Sequence, residues 1–214
     1  MDLNAERIRW DTRFGGEEFL FGTAPNRFLA SQAELLKPGM SALCVADGES
    51  RNGVWLAGRG LRVTAFDFSP VGVEKARRFA REAGVAIEHH VASINDWDWD
   101  ARSFDLVALI FTQFATPQER EGMFAGVVRT LVPGGLLLLQ GYTPKQLEYG
   151  TGGPKQIERL YSEALLRESF ASLDILHLAE HEELVEEGLG HHGMSALIDL
   201  VARKPRSPID PIPR

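Results

Sequence analysis

The chain has 214 residues, 44% hydrophobic and 25% charged, with a formal net charge of −7 at pH 7 and a single cysteine, Cys44. This is ordinary for one soluble α/β domain with a sizeable core. The acidic balance argues against DNA or RNA as the partner, and one cysteine excludes an internal disulfide and suits a reducing cytoplasm. No apolar run approaches the roughly 20 residues of a membrane helix, and the charged start MDLNAERIRWD has no apolar signal core.

The first 25 residues hold many aromatics for a segment that precedes any strand: Trp10, Phe14, Phe19 and Phe21. A helix is expected from about Asn26, a good N-cap, to Leu36, ended by Pro38-Gly39. Leu43 to Ala46 is a short apolar run that reads as a buried strand. A turn of small and acidic residues follows (Asp47, Gly48, Glu49, Ser50), then a helix from Arg51 to Arg59 closed by Gly60. Arg62 to Phe66 is β-rich and ends on Asp67. Ser69 and Pro70 open the next helix, which stops at Gly84 with Arg77, Arg78 and Arg81 facing out.

Further strands are expected at Ala86 to Val91, at Phe104 to Phe111 and at Leu136 to Gln140, with a helix from Pro117 to about Leu131 and a loop at Asn95 to Asp100. Thr143 to Pro154 is a Gly- and Pro-rich loop of the kind that covers a site. A helix at Ile157 to Phe170 follows. Leu173 to Glu182 and Ser195 to Arg203, joined by Glu183 to Met194, could pair as an antiparallel hairpin at one sheet edge. The alternation predicts a doubly wound α/β fold around a mostly parallel seven-stranded sheet with an antiparallel C-terminal hairpin strand. One domain is expected over residues 1–205, with residues 1–37 as lid segment and helix and residues 143–194 as acceptor-site cover and hairpin region. Residues 206–214 are expected to form a Pro-rich tail.

The stretch from Leu43 to Asp67 is half of a nucleotide-binding βαβ unit. Small residues let a ligand approach the backbone, and an acid nineteen residues after Gly48 can accept ribose hydroxyl protons. A pyrophosphate-binding GxGxxG is absent, and Asp47 and Glu49 would repel a pyrophosphate. A nicotinamide or flavin dinucleotide is therefore disfavoured. A cationic ligand with a ribose and no phosphate, such as S-adenosylmethionine, suits the turn.

WDTRFGGEEFLFGTAPNRFL (Trp10 to Leu29), ADGESRNGVWLA (Ala46 to Ala57), VTAFDFSPVGVEKA (Val63 to Ala76), FDLVALIF (Phe104 to Phe111), LVPGGLLLLQGY (Leu131 to Tyr142) and SALIDLVARKP (Ser195 to Pro205) carry a resemblance. The chain resembles the class I S-adenosylmethionine-dependent methyltransferases, most closely the tellurite-resistance and thiopurine methyltransferase-like group. The resemblance implies the Rossmann-like methyltransferase fold, S-adenosylmethionine as cofactor and S-adenosylhomocysteine as product. It implies that Ala46, Asp47, Gly48, Glu49 and Ser50 wrap the methionine part, with Asn52 close by. Asp67 would hold the ribose, and Phe68, Ser93 and Ile94 would lie along the adenine. Phe111 and Thr112 would border the methyl group, and Trp10 and Arg13 would fold over as a lid. The chain departs from the family where Cys44, Ala46, Ser50 and Ser93 stand for an acid, two glycines and an acid; Asp47 is the candidate substitute for the first acid.

Methyl transfer from a sulfonium needs alignment and a dry aromatic enclosure. Trp10, Phe14, Phe21 and Phe111 are the candidates; Phe14 and Phe21 serve equally well as core. Should the acceptor need a proton removed, His191 and His192, between Gly190 and Gly193 near the open end of the sheet, are the candidate bases, and Tyr142 is a second polar group facing the site. Paired histidines on a strand point apart, so no metal site is expected. The expected function is methyl transfer to a small-molecule thiol, chalcogen anion, amine or hydroxyl by a cytoplasmic monomer or homodimer without nucleic acid or membrane partners. The alternative is a non-catalytic cofactor-binding module, a sensor or partner subunit.

Overall fold

A computed structural model describes residues 3–206; all but the first residue of the expected Pro-rich tail lies outside them. Helix α1 (Leu3–Phe14) leads through an aromatic segment to α2 (Arg27–Ser31), β1 (Ser41–Val45), α3 (Arg51–Gly58), β2 (Arg62–Asp67), α4 (Pro70–Glu82) and β3 (Ile87–Val91). Then come β4 (Phe104–Ile110), α5 (Pro117–Thr130), β5 (Leu131–Tyr142), the single turn α6 (Gln146–Tyr149), α7 (Glu163–Ser169), β6 (Asp174–Glu187) and β7 (His191–Arg203).

The strands form one sheet in the order β3-β2-β1-β4-β5-β7-β6. The first five are parallel, and β7 runs antiparallel between β5 and β6. Side chains alternate across this sheet and both faces are covered, as its unbroken apolar strands require. Leu43, Val45, Val107, Leu109, Leu137 and Leu139 pack with Met123, Phe124 and Val127 of α5 on one face. Ala42, Cys44, Leu106, Ala108 and Leu138 pack with Phe28, Leu29 and Leu56 on the other. The strand order reverses between β1 and β4, so the loops leaving these strands part and leave a crevice at their carboxyl ends.

Local chemistry explains most element ends. The Asn26 side chain accepts from Leu29 N at 2.9 Å, and that of Ser69 accepts from Gly72 N at 3.0 Å with Pro70 at the first helical position. Thr116 and Glu119 form a reciprocal capping box on α5.

Four boundaries differ from expectation. The helix at 26–36 is a short α2 followed by a 3₁₀ turn over Ala33–Leu35. The segment 157–170 is a 3₁₀ turn and then α7, whose N-cap Ser162 accepts from Leu165 N at 3.2 Å. Strand β5 begins at Leu131, because Pro133-Gly134-Gly135 is absorbed as an irregularity in the pairing with β4. The hairpin β6–β7 is longer than expected: pairing continues to Glu187 opposite His191, leaving three residues to turn. Gly188, with φ of 67°, supplies the left-handed conformation there.

Candidate active site

A cavity of about 570 Å³ opens above the switch point, lined from α1, the loops after β1, β2, β3 and β4, the segment 152–159 and the β6–β7 turn. Its floor begins at the first loop. Ala46, Gly48 and Ser50 all have positive φ, at 50°, 54° and 68°. The loop therefore keeps a glycine-type path although only one of the three is glycine.

Asp47 is held from behind. Its Oδ2 accepts from the Ser50 hydroxyl at 2.8 Å and from Gly53 N at 3.0 Å. A Cβ on Gly53 would lie 2.6 Å from Ser50 Oγ and 2.7 Å from Asp47 Oδ2, so the helix needs glycine there. Asp67, at the tip of β2, accepts from Gly48 N at 3.0 Å and Ser69 N at 2.9 Å, and so ties the first loop to the start of α4. Burial pushes both carboxyls up to about 6, against the hydrogen bonds that favour their charged forms. Phe68, Ser93, Ile94 and Asn95 line the same end. Ser93 Oγ donates to Asp96 Oδ2 at 2.7 Å.

The N-terminal segment closes one side. The Arg13 guanidinium stands 4.4 Å from the Trp10 ring centre, and Trp10 stacks on Phe14 at 5.3 Å. Phe14 in turn covers Gly48 and Gly72, where a Cβ would meet its ring at 3.1 and 2.9 Å. The segment is stitched down at its far end: Leu20 N donates to Glu49 Oε2 at 2.7 Å, and Leu20 O accepts from Gly190 N at 2.9 Å.

The opposite end of the cavity is aromatic. The His191 ring stacks on Phe21 at 4.5 Å and on Phe111 at 4.2 Å. Its Nδ1 is 2.7 Å from the Tyr142 hydroxyl. Burial, with Arg51 and Arg13 nearby, lowers the imidazole to about 3, and burial raises the Tyr142 phenol above its ordinary value. The pair is therefore neutral at pH 7. Arg51, in the first turn of α3, pairs with Glu187 of β6 at 2.5 Å, both side chains being 7% exposed. Glu187 also accepts from Arg27 N at 3.0 Å and Asn26 Nδ2 at 3.2 Å.

Trp10, Arg13, Ala46, Asp47, Gly48, Asn52, Asp67, Phe68, Ser93, Ile94, Phe111, Tyr142 and His191 thus gather on one cavity. Four expected residues stand outside it, among them Ser50, which is buried behind Asp47. His192 faces solvent, because successive side chains on β7 alternate and His191 takes the inward position. Glu49 turns away to Lys75 of α4, 2.7 Å distant. Thr112 is buried beneath the cavity, 3.5 Å from the Tyr161 hydroxyl.

Sequence reasoning missed Arg51 and Glu187. A cation in the first turn of a helix opposes the helix dipole, and that was the available signal for Arg51. Nothing in local spacing points to Glu187, which lies in what reads as a linker. Among the described residues no three His, Cys, Asp or Glu side chains gather as a metal site, and no helix is long and apolar enough to cross a membrane.

A seven-stranded sheet in this order, with a nucleoside-sized cavity over its switch point and an acid at the tip of β2, defines the methyltransferase class of doubly wound folds. Comparison with known proteins agrees. Residues 42–135 match the methyltransferase domain family. The ubiquinone biosynthesis O-methyltransferase of Xanthomonas axonopodis pv. citri is 30% identical over 155 residues, 71% of this chain and 64% of that one. The fold is shared with TehB from Haemophilus influenzae (TM-score 0.67, 17% identity, 82% of this chain and 61% of that one). It is shared also with the N-methyltransferase NodS from Bradyrhizobium japonicum in complex with S-adenosyl-L-homocysteine (TM-score 0.71, 13% identity, 94% and 98%). The chain spans about half to just under two thirds of the length of the curated relatives it matches. Over residues 42–135 the chain is thus similar to S-adenosylmethionine-dependent methyltransferases, and it shares their fold.

Proposed function

We propose that the protein transfers a methyl group from S-adenosylmethionine to a small-molecule acceptor held against Phe21, Phe111, Tyr142 and His191. The observation that carries this reading is the continuity of one cavity from Asp67 and Asp47 to that aromatic cluster. The residues present suit the cofactor. Asp67 would accept from the ribose hydroxyls, and Asp47 would face the ammonium with the oxygen that Ser50 and Gly53 leave free. Phe68, Ser93 and Ile94 would line the adenine. Arg13 has no carboxylate partner within 4 Å among the described residues and suits the cofactor carboxylate. Trp10 and Asn52 complete the enclosure.

S-adenosylmethionine supplies an electrophilic methyl on a sulfonium. The protein's part is to exclude water, to set the acceptor in line and to face the sulfonium with aromatic rings. Phe111 stands where strand β4 ends, between the cofactor loop and His191, and borders both halves. Tyr142 and His191, both neutral, would hydrogen-bond the acceptor and take up or release its proton within the pair. A base as weak as the buried His191 suits an acceptor that is already nucleophilic, such as a thiolate or chalcogen anion, or one that loses its proton easily. Retention of the glycine-type path at Ala46 and Ser50 supports a working cofactor loop over a vestigial one.

The test is calorimetric titration with S-adenosylmethionine and with S-adenosylhomocysteine, then release of S-adenosylhomocysteine across thiols, chalcogen oxyanions and small amines. Micromolar cofactor binding, about −8 kcal/mol, with turnover of one class supports the reading. Binding without turnover on any class would favour the non-catalytic alternative.

A further inference from the structure

A three-member hydrogen-bond chain runs from the outer edge of the sheet to the cofactor loop. His89 of β3 sets its Nε2 3.1 Å from Ser50 Oγ, and Ser50 Oγ donates to Asp47 Oδ2 at 2.8 Å. Ser50 has one hydroxyl proton, and it goes to the carboxylate. The His89 nitrogen stands behind the serine oxygen at hydrogen-bond distance. Ser50 is buried and left-handed, a conformation that strains an ordinary residue and not a glycine. A glycine would follow this path freely; the serine adds a hydroxyl that braces Asp47 beside the Gly53 N–H. Gly53 leaves the space for that contact, since any Cβ there would collide with both partners.

We propose that Ser50 is a positioning residue: with His89 behind it, its hydroxyl holds Asp47 in the rotamer that presents the free carboxylate oxygen to the amino group of the cofactor. The inference rests on the cofactor placement given above and adds to it the device that aims Asp47. A carboxylate with one oxygen fixed by two donors loses little rotamer freedom on meeting a cation, so the contact gains from preorganisation. The Arg51 and Asp67 charges also act on Asp47.

The test compares two ligands that share the adenosine and differ in the amino acid. S-adenosylhomocysteine carries the ammonium; 5′-methylthioadenosine does not. Wild type, Ser50→Gly, Ser50→Ala and His89→Phe are titrated with both. Ser50→Gly relieves the backbone and removes the hydroxyl, and Ser50→Ala removes only the hydroxyl. Both are expected to weaken S-adenosylhomocysteine about tenfold, the loss of one charge-assisted hydrogen bond, while 5′-methylthioadenosine binds as before. His89→Phe should give a smaller loss of the same kind. Equal weakening of both ligands would mean that Ser50 merely shapes the loop and would overturn the proposal. Unchanged affinity for both would overturn it too. A wild type that binds the two ligands alike would instead remove Asp47 from the amino group, and the positioning role would fall with that placement.

Discussion

Lys75 of α4 and Glu49 of the first loop meet at 2.7 Å in the interior, with side chains 6% and 3% exposed. The ammonium also donates to Gly16 O at 2.8 Å, Glu18 O at 2.5 Å and Phe14 O at 3.5 Å. Glu49, through its other oxygen, accepts from Leu20 N. One buried pair thus fastens both ends of the aromatic segment to the cofactor loop. Lys75→Met should leave an unpaired buried carboxylate and cost about 3–5 kcal/mol. The double variant Lys75→Met, Glu49→Gln should recover part of that loss. Urea melts of the three proteins check this; a single variant as stable as wild type would contradict it.

Asp67→Asn replaces an oxygen that accepts a backbone N–H with an amide that cannot. Cofactor affinity should fall by about 1–3 kcal/mol, with a lowered Tm because the tie between Gly48 and Ser69 is lost. Calorimetry and a thermal melt measure both. Unchanged affinity would place the ribose elsewhere.

The acid side of the stability curve should show two opposed effects. His191 and His89, lowered to about 3 and about 4, bind a proton more readily unfolded. Their stabilisation is complete above about 6.5 and is lost as pH falls towards those values. Asp47 and Asp67, raised to about 6, work in reverse: their contribution is present below about 4 and is lost as pH rises through 6. His191→Gln should therefore lose less stability than wild type between pH 6.5 and pH 4, as read from denaturant midpoints. With the cofactor placed on Asp47 and Asp67 as proposed, its binding should weaken as pH is lowered through about 6.

Tyr142→Phe keeps the ring that packs on Phe111 and removes the hydroxyl beside His191. Turnover should fall by one to two orders of magnitude, about 1.4–2.7 kcal/mol in the barrier, with cofactor affinity unchanged. An equal loss in both would make Tyr142 a packing residue only.

Ala46 stands in the left-handed region at φ of 50°. Ala46→Gly should raise stability by roughly 0.5–1 kcal/mol, as relief of that strain exceeds the added freedom of the unfolded chain. Gly190→Ala should do the opposite, since its Cβ would lie 2.2 Å from Phe21 Cε1.

Much of this was legible in the sequence, for reasons that differ from place to place. The βαβ unit from Leu43 to Asp67 reads plainly because apolar runs, small turn residues and a terminal acid are local signals. Asn26, Ser69 and Pro117 announce their helices in the same way. The end of the cavity around Asp47 and Asp67 followed, since it is built from the tips of those strands. The aromatic end did not. His191 rather than His192 faces inward because of where β7 begins, and β7 begins earlier than its apolar run suggests: Glu187 pairs opposite His191 with only three residues between. Glu49 reads as a ligand residue from its place in the turn, yet it is claimed by Lys75 of α4. Long-range partners of this kind leave no trace in periodicity.

Glu187 and His191 flank one three-residue turn. The first anchors Arg51 and the second walls the aromatic pocket, while Gly190 between them carries the close contact with Phe21. Everything the hairpin gives to the aromatic end of the cavity is thus concentrated in one short, contiguous stretch of chain, while the end around Asp47 and Asp67 is encoded far upstream. On the proposed reading such an arrangement would make acceptor preference exchangeable as a cassette: a few codons could be replaced or recombined to retune it, while the other end inherits no change.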